Sequence, residues 1–372
     1  MDIFIAGDVV PKGIQMEFNL KGEQVFGQMK PYIVGADFSI VNLEAPVIKG
    51  KPTPIKKSGP CLGVTPLTIK VLKDAGFSVF TLANNHFYDQ GQTGVNATLD
   101  TCNQYEVLTV GGGKTNIQAR KLLMLEKEGK QVAIINACEH EFSIATSEHG
   151  GSNPIDLIHM QEDIRTARKE ADYVVVILHG GVEQYHYPTP RMKQWYRHFV
   201  DLGADAVINH HQHCINGYEV YKSKPIFYGL GNFYFPKKEN ENKPNSWNFG
   251  YAVQLTLNEQ VGFDLIPYKQ NAEAITLRDK AEFAKEIEVY NQTIADDSLL
   301  QKRYDDFIIA KENTIKMELL PSFLRNRLFS ALVRRGYLGK LYKGKSVFSL
   351  KNKLACESHC ETLQRLFEIL TK

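Results

Sequence analysis

The chain has 372 residues, of which 43% are hydrophobic and 23% charged, enough for a large packed core and unlike a disordered polymer. A formal net charge of +2 gives no chain-wide attraction to nucleic acid or membrane. Six cysteines are thinly spread (Cys61, Cys102, Cys138, Cys214, Cys356, Cys360), which argues against a disulfide framework and for reduced thiols in a cytoplasmic setting.

The start, Met1-Asp2-Ile3-Phe4-Ile5-Ala6-Gly7-Asp8, reads as a strand entering a loop. It lacks the basic-then-apolar pattern of a signal peptide, and no run of about 18 apolar residues follows anywhere, so no transmembrane helix is expected. Predicted strands then recur at 38–43, 78–82, 131–137, 173–178, 206–208, 225–228, 251–256 and 262–266, from their β-branched and aromatic content. Helical patterns fall at 65–75, 160–171 and 192–202, the last ended by Gly203. This alternation predicts an α/β layered fold with mixed β-sheets flanked by helices, the later strands pairing antiparallel. A polar surface loop is expected at 237–246. Past about residue 270 the pattern turns helical, at 281–294, 298–319 and 321–335, which predicts a domain over 1–270 and a helical, basic extension over 271–372.

Polar residues collect where predicted strands end. Gly7-Asp8 closes the first, Asn42-Leu43-Glu44 the second and Asn84-Asn85-His86 the third. His179-Gly180-Gly181-Val182-Glu183, Asn209-His210-His211-Gln212-His213 and Gly229-Leu230-Gly231-Asn232 follow the later ones. Ligand sites of open α/β sheets form outside the carboxyl ends of the strands. Carboxylate, amide and imidazole together suit Mn, Fe, Zn or Mg better than a soft thiolate metal. Read singly, each residue has an ordinary alternative. Asp8 could cap a helix, Glu44 could face solvent, Asn84 and Asn85 could form a turn, and His179 could be a satisfied core histidine. His211 and His213, two apart, fall on one side of a strand.

These segments, in this order and spacing, resemble the capsule biosynthesis protein CapA family, also called the poly-γ-glutamate synthesis family, over roughly residues 1–270. The segments are Phe4–Asp8, Phe38–Pro46, Leu82–His86, His179–Glu183, Leu202–Ile208, His211–His213 and Tyr228–Phe233. The resemblance implies a calcineurin-like metallophosphoesterase fold and a divalent metal ion. Asp8 would be the first-strand metal carboxylate, and Glu44 would stand where the wider superfamily has a bridging aspartate. Asn85, His179, His211 and His213 would complete the ligands. His86 would act as an acid toward a leaving group, with Glu183 beside it as a second catalytic candidate. Asn42, Asn84, Asn232, Lys57 and Arg191 are the expected substrate-side residues, the two cations toward carboxylates.

The chain departs from the wider pattern at Val10, where a histidine is usual, and at Asn209 and Gln212, where the family has glycine and proline. Two functions follow as expectations. One is a metal-dependent hydrolase or transferase in capsule or poly-γ-glutamate synthesis, acting on a phosphoester or an acidic polymer. The other is a non-catalytic, polyanion-binding accessory protein of the same assembly, in contact with other capsule-synthesis proteins. Neither involves nucleic acid. Between Leu319 and Ala355 nine Lys or Arg and no Asp or Glu are interleaved with Leu324, Leu328, Phe329 and Leu332, so peripheral contact with acidic lipid is an expectation beside a packed helical appendage. Cys356, His359 and Cys360 supply too few donors for a structural zinc site.

Overall fold

The computed structural model describes residues 1–11, 24–236, 246–318, 327–335 and 354. They belong to two compact units, Met1–Gln301 and Lys302–Lys372. The first half of the larger unit contains β1 (Asp2–Val9), α1 (Lys30–Gly35), β2 (Phe38–Leu43), α2 (Pro66–Ala75), β3 (Val79–Thr81), α3 (Gly91–Gln104), β4 (Leu108–Val110), β5 (Gly112–Gly113), α4 (Asn116–Ala119), β6 (Leu123–Lys127) and β7 (Lys130–Cys138). There follow β8 (Gly151–Ser152), α5 (Leu157–Glu170), β9 (Tyr173–His179), α6 (Pro190–Leu202), β10 (Ala206–His210), β11 (Tyr218–Tyr221), β12 (Lys224–Phe227), β13 (Asn232–Tyr234), β14 (Phe249–Leu257), β15 (Val261–Gln270), β16 (Ile275–Leu277), α7 (Lys280–Ala295) and α8 (Asp297–Ala310). The smaller unit contains α9 (Glu312–Glu318) and α10 (Arg327–Arg334).

Strand alternation builds the layers. One sheet runs β16-β15-β14-β1-β2-β3-β4 with β13 also on β1, and the other runs β11-β12-β10-β9-β7-β6. Successive side chains of a strand face opposite ways. Thus Ile3, Ile5, Ile40 and Val79 of the first sheet meet Val132, Ile134, Val175, Ile177 and Ile208 of the second in one buried cluster. Phe4, Ala6, Val41 and Phe80 face the other way and pack with Ile33 of α1, Leu72 of α2 and Val95 of α3. Ile135, Val174, Val176 and Val207 do the same with Ile164 of α5 and Phe199 of α6. The result is a helix–sheet–sheet–helix sandwich, the mixed layered fold expected. Among the strands after Ile215 the short links give antiparallel pairs, β11 with β12, β14 with β15 and β15 with β16, while β12 also pairs parallel with β10 and β13 parallel with β1.

Three departures are instructive. Helix α3 has no predicted counterpart, because its buried face is made of Gly94, Val95, Ala97, Thr98, Thr101 and Cys102 rather than large aliphatics. Thr98 and Thr101 fit there by donating their hydroxyls to the carbonyls of Gly94 and Ala97, at 2.7 and 2.5 Å. The single helix predicted for 298–319 is two, α8 and α9, separated by a turn at Lys311. The larger unit runs on past residue 270 through α7 and the first turn of α8, where Phe283, Ile287, Ile294 and Leu300 are buried, and α8 continues into the smaller unit. The predicted loop at 237–246, most of the basic stretch and the Cys356, His359 and Cys360 group lie outside the described residues. No helix among the described residues is long and apolar enough to cross a membrane.

Candidate metal centre

The carboxyl ends of β1, β2, β3, β9 and β10 converge, and irregular backbone aims their last side chains. The register of β1 slips against β2 between Ala6 and Asp8, and against β13 between Asp8 and Val9. Such bulges re-aim side chains. Gly7 is required at the slip, since a Cβ there would lie 2.0 Å from the Gly231 carbonyl oxygen. After β10 the backbone enters the left-handed region at His211 (φ 93°) and His213 (φ 54°), a sparsely populated conformation for side-chain-bearing residues. Asn136 of β7 ties the two sheets together beside the cluster. Its Oδ1 accepts from the Leu82 and Ala83 amides (3.2 and 2.8 Å) and its Nδ2 donates to the Ile177 carbonyl (2.9 Å).

Asp8 and Glu44 are both buried. Asp8 accepts from Asn42 Nδ2 at 2.6 Å and from the His211 amide at 3.2 Å. Glu44 has no hydrogen-bond donor on either oxygen among the described residues, although its Oε1 lies 3.4 Å from His179 Nε2 and 3.7 Å from His213 Nε2. His179 Nε2 is also 3.1 Å from His211 Nδ1 and 3.2 Å from Asn85 Oδ1. One lone-pair position of His179 is thus surrounded by a carboxylate oxygen, an amide oxygen and a second imidazole. His213 is held from behind: Asn232 Oδ1 lies 2.8 Å from its Nδ1, and Asn232 Nδ2 donates to the Trp247 carbonyl at 3.1 Å. That partner places the proton on Nδ1 and leaves Nε2 as an acceptor facing Glu44.

Dehydration shapes the charges. Burial pushes the Asp8 carboxyl up to about 7 against the hydrogen bonds from Asn42 and the His211 amide, and burial together with the Asp8 charge pushes Glu44 well above the carboxylate range. The same burial holds His179 and His211 below the ordinary imidazole value and His210 down to about 3. Two buried carboxyls among imidazoles, with donors lacking on one of them among the described residues, are compatible with a divalent cation between them. Donor atoms of three overlapping trios lie within 4.8 Å of one another: Asp8, His179 and His210; Glu44, His179 and His211; Asp8, Glu44 and His213. No cysteine joins them, and burial raises the Cys102 and Cys214 thiols to about 12, so the donor set is hard to borderline. The residues therefore fit a divalent cation.

His86 stands at the edge of the cluster with a dyad partner that sequence reasoning missed. Its Nδ1 lies 2.5 Å from Asp89 Oδ2, and Asp89 also accepts from the Leu62 amide at 2.6 Å. Lys57 is buried in an ion pair with the other Asp89 oxygen, its Nζ 3.2 Å from His86 Nδ1, so its charge is already engaged. The His86-x-x-Asp89 spacing was the available signal for this pair. Asn42 is turned to Asp8, and Asn84 donates to the Leu43 carbonyl (2.9 Å) and Asn42 Oδ1 (3.3 Å), so both brace the cluster from within. Glu183 is exposed, yet close enough for its charge to raise Glu44. Arg191 is 63% exposed, lies 3.5 Å from Glu139 and stacks over Trp195; Glu139 in turn accepts from the Gly181 amide at 3.0 Å.

These features define a layered α/β sandwich protein with a buried carboxylate–imidazole centre at its strand ends. The chain belongs to the bacterial capsule synthesis protein PGA_cap family, whose model matches residues 2–237. It is 33% identical over 221 residues to the capsule biosynthesis protein CapA of Bacillus anthracis, covering 57% of this chain and 54% of that one. It is 31% identical over 236 residues to the PGA biosynthesis protein CapA of Bacillus subtilis (strain 168), covering 62% of each. The chain thus matches less than two thirds of the length of either relative. Among solved structures, a phosphatase from Mycoplasma pneumoniae is similar at 16% identity and a TM-score of 0.47, over 77% of this chain and 96% of that one.

Proposed function

We propose that this capsule-synthesis protein is a divalent-cation-dependent hydrolase or transferase acting on a phosphoester or acyl bond of an acidic envelope polymer or its precursor. Glu44 carries the proposal: a carboxylate buried without a hydrogen-bond donor, facing two imidazole nitrogens, makes sense as half of a cation site. Asp8, Glu44, Asn85, His179, His211 and His213 would hold the cation. When bound, it supplies Lewis-acid polarisation of the reacting oxygen and acidifies water.

The chain's own residues supply the rest. Asp89 accepts from His86 Nδ1–H and so orients the ring; in its doubly protonated form His86 would give its Nε2 proton to a leaving group and be left neutral, the Nδ1 proton staying with Asp89. Lys57 pairs with the other Asp89 oxygen and holds that carboxylate in place behind the ring. Arg191, open to solvent, would meet polymer carboxylates, and Glu183, near enough to Glu44 for its charge to be felt there, is the second catalytic candidate. A rival reading, an accessory protein that binds acidic polymer without turnover, draws on Val10, whose side chain packs into the apolar cluster and adds no ligand to the first strand.

One experiment separates them. The purified chain and an Asp8→Ala/His211→Ala variant are assayed for bound metal by elemental analysis and for turnover of phosphoester and γ-glutamyl substrates. Cation and turnover in the wild type, both lost in the variant, support the enzyme. Polymer binding by a metal-free wild type without turnover would establish the accessory role.

A further inference from the structure

We infer that His210 is a ligand of the cation on the Asp8 side of the centre, a role additional to the six ligands above and resting on the cation-dependent reading just given. His210 is the last residue of β10 and stands in register with His179 of β9, the strand beside it. Parallel strands in register place paired side chains on one face of the sheet. Donor atoms of Asp8, His179 and His210 accordingly lie within 4.8 Å of one another.

The second observation is that His210 is 2% exposed and neither of its ring nitrogens has a hydrogen-bond partner among the described residues. Buried polar groups are nearly always paired, and an orphaned one calls for an explanation. Its neighbours show how the local fold treats such groups. Asn209 Nδ2 donates to the Gly180 and Tyr228 carbonyls at 2.9 and 3.0 Å. Gln212 is bonded to Asn209 and Asn216, His211 to His179, and His213 to Asn232. In this run of five polar side chains it is His210 whose ring is left without a protein partner among the described residues, with Asp8 and His179 donor atoms within 4.8 Å.

The left-handed turn at His211 explains how adjacent histidines share one site. Regular alternation would send His210 and His211 to opposite faces; a φ of 93° reverses the chain between them and returns His211 to the side that His210 already occupies. The first strand offers this part of the centre only Asp8, because Val10, two residues on, is packed in the apolar cluster.

The test uses the full chain, stripped of metal and titrated with Mn²⁺ and Co²⁺. Stoichiometry is read by elemental analysis and ligand number from the visible spectrum of the Co²⁺ form. His210→Leu removes the imidazole and keeps an apolar filling, and His210→Gln is a second variant should leucine prevent folding. The expected result is the loss of one cation equivalent, or at least tenfold weaker binding of one, with altered Co²⁺ bands and a metal-free thermal midpoint no lower than that of the wild type. Wild-type stoichiometry, affinity and spectrum in both variants would overturn the assignment of His210 alone. A wild type that takes up neither cation would overturn the cation-dependent reading itself.

Discussion

Replacing Asp8 by asparagine should make the cation-free protein more stable at alkaline pH while abolishing its response to cations. In the folded chain the Asp8 carboxyl titrates at about 7, against an ordinary value of 3.8. The folded form therefore holds a proton that the unfolded chain has already released between those values, so stability falls as pH rises through this window and levels off above it. A gap of about three pH units, at about 1.4 kcal/mol each, sets the loss at about 4 kcal/mol. Asparagine escapes that loss but meets Asn42 Nδ2 or the His211 amide with an N–H instead of an oxygen, a mismatch of about 1–2 kcal/mol. The balance is a variant about 1–2 kcal/mol less stable than wild type near pH 4 and about 2–3 kcal/mol more stable near pH 8. Urea unfolding midpoints in chelator, measured from pH 4 to 8, read this directly. Saturating Mn²⁺ at a thousand times its dissociation constant should then add about 4 kcal/mol to the wild type and nothing to the variant, reversing their order. A stability difference that stays flat across that pH range would refute the account of Asp8 as a dehydrated carboxyl awaiting a positive charge.

Cation uptake should itself depend on pH: below about 7, where Asp8 is protonated, apparent affinity should drop about tenfold per unit for each displaced proton, and calorimetry in buffers of different ionisation enthalpy should show the release. Asn232→Ala removes the acceptor that fixes the His213 ring and should weaken cation binding about 10–100-fold, read by competition with a fluorescent chelator. Gly7→Ala should cost more than about 3 kcal/mol or prevent folding, since its Cβ would overlap a backbone oxygen that cannot move without displacing β13; a thermal midpoint within a few degrees of wild type would contradict the close approach.

Much of this architecture is legible in the sequence because strands announce themselves by apolar runs and the runs stop at polar residues. Asp8, Glu44, Asn85, His179, His211 and His213 stand at five such stops or just past them, and the structure brings them into one cluster. What the pattern hides depends on geometry that no periodicity encodes. Strand alternation puts His211 and His213 on one side and so sets His210 aside; only the left-handed backbone at His211 undoes that inference. Lys57 reads as an open cation until the fold buries it on Asp89. Asn84 and Asn232 look like substrate contacts but are tied to a carbonyl and a ring nitrogen that sequence cannot locate. Helix α3 escapes notice because threonines and a glycine, poor helix formers in isolation, line the side that packs.

The central place of β1 in its sheet has a consequence for synthesis. Strand β1 pairs on one flank with β2, soon after it in the chain, but its other flank waits for β14, which ends at Leu257. At bacterial elongation rates of 5–20 residues per second, the stretch from Leu43 to Leu257 takes roughly 10–40 s to translate. Throughout that interval the nascent chain carries an open strand edge on the strand that bears Asp8, a surface that invites chaperone binding and, without it, pairing with another nascent chain.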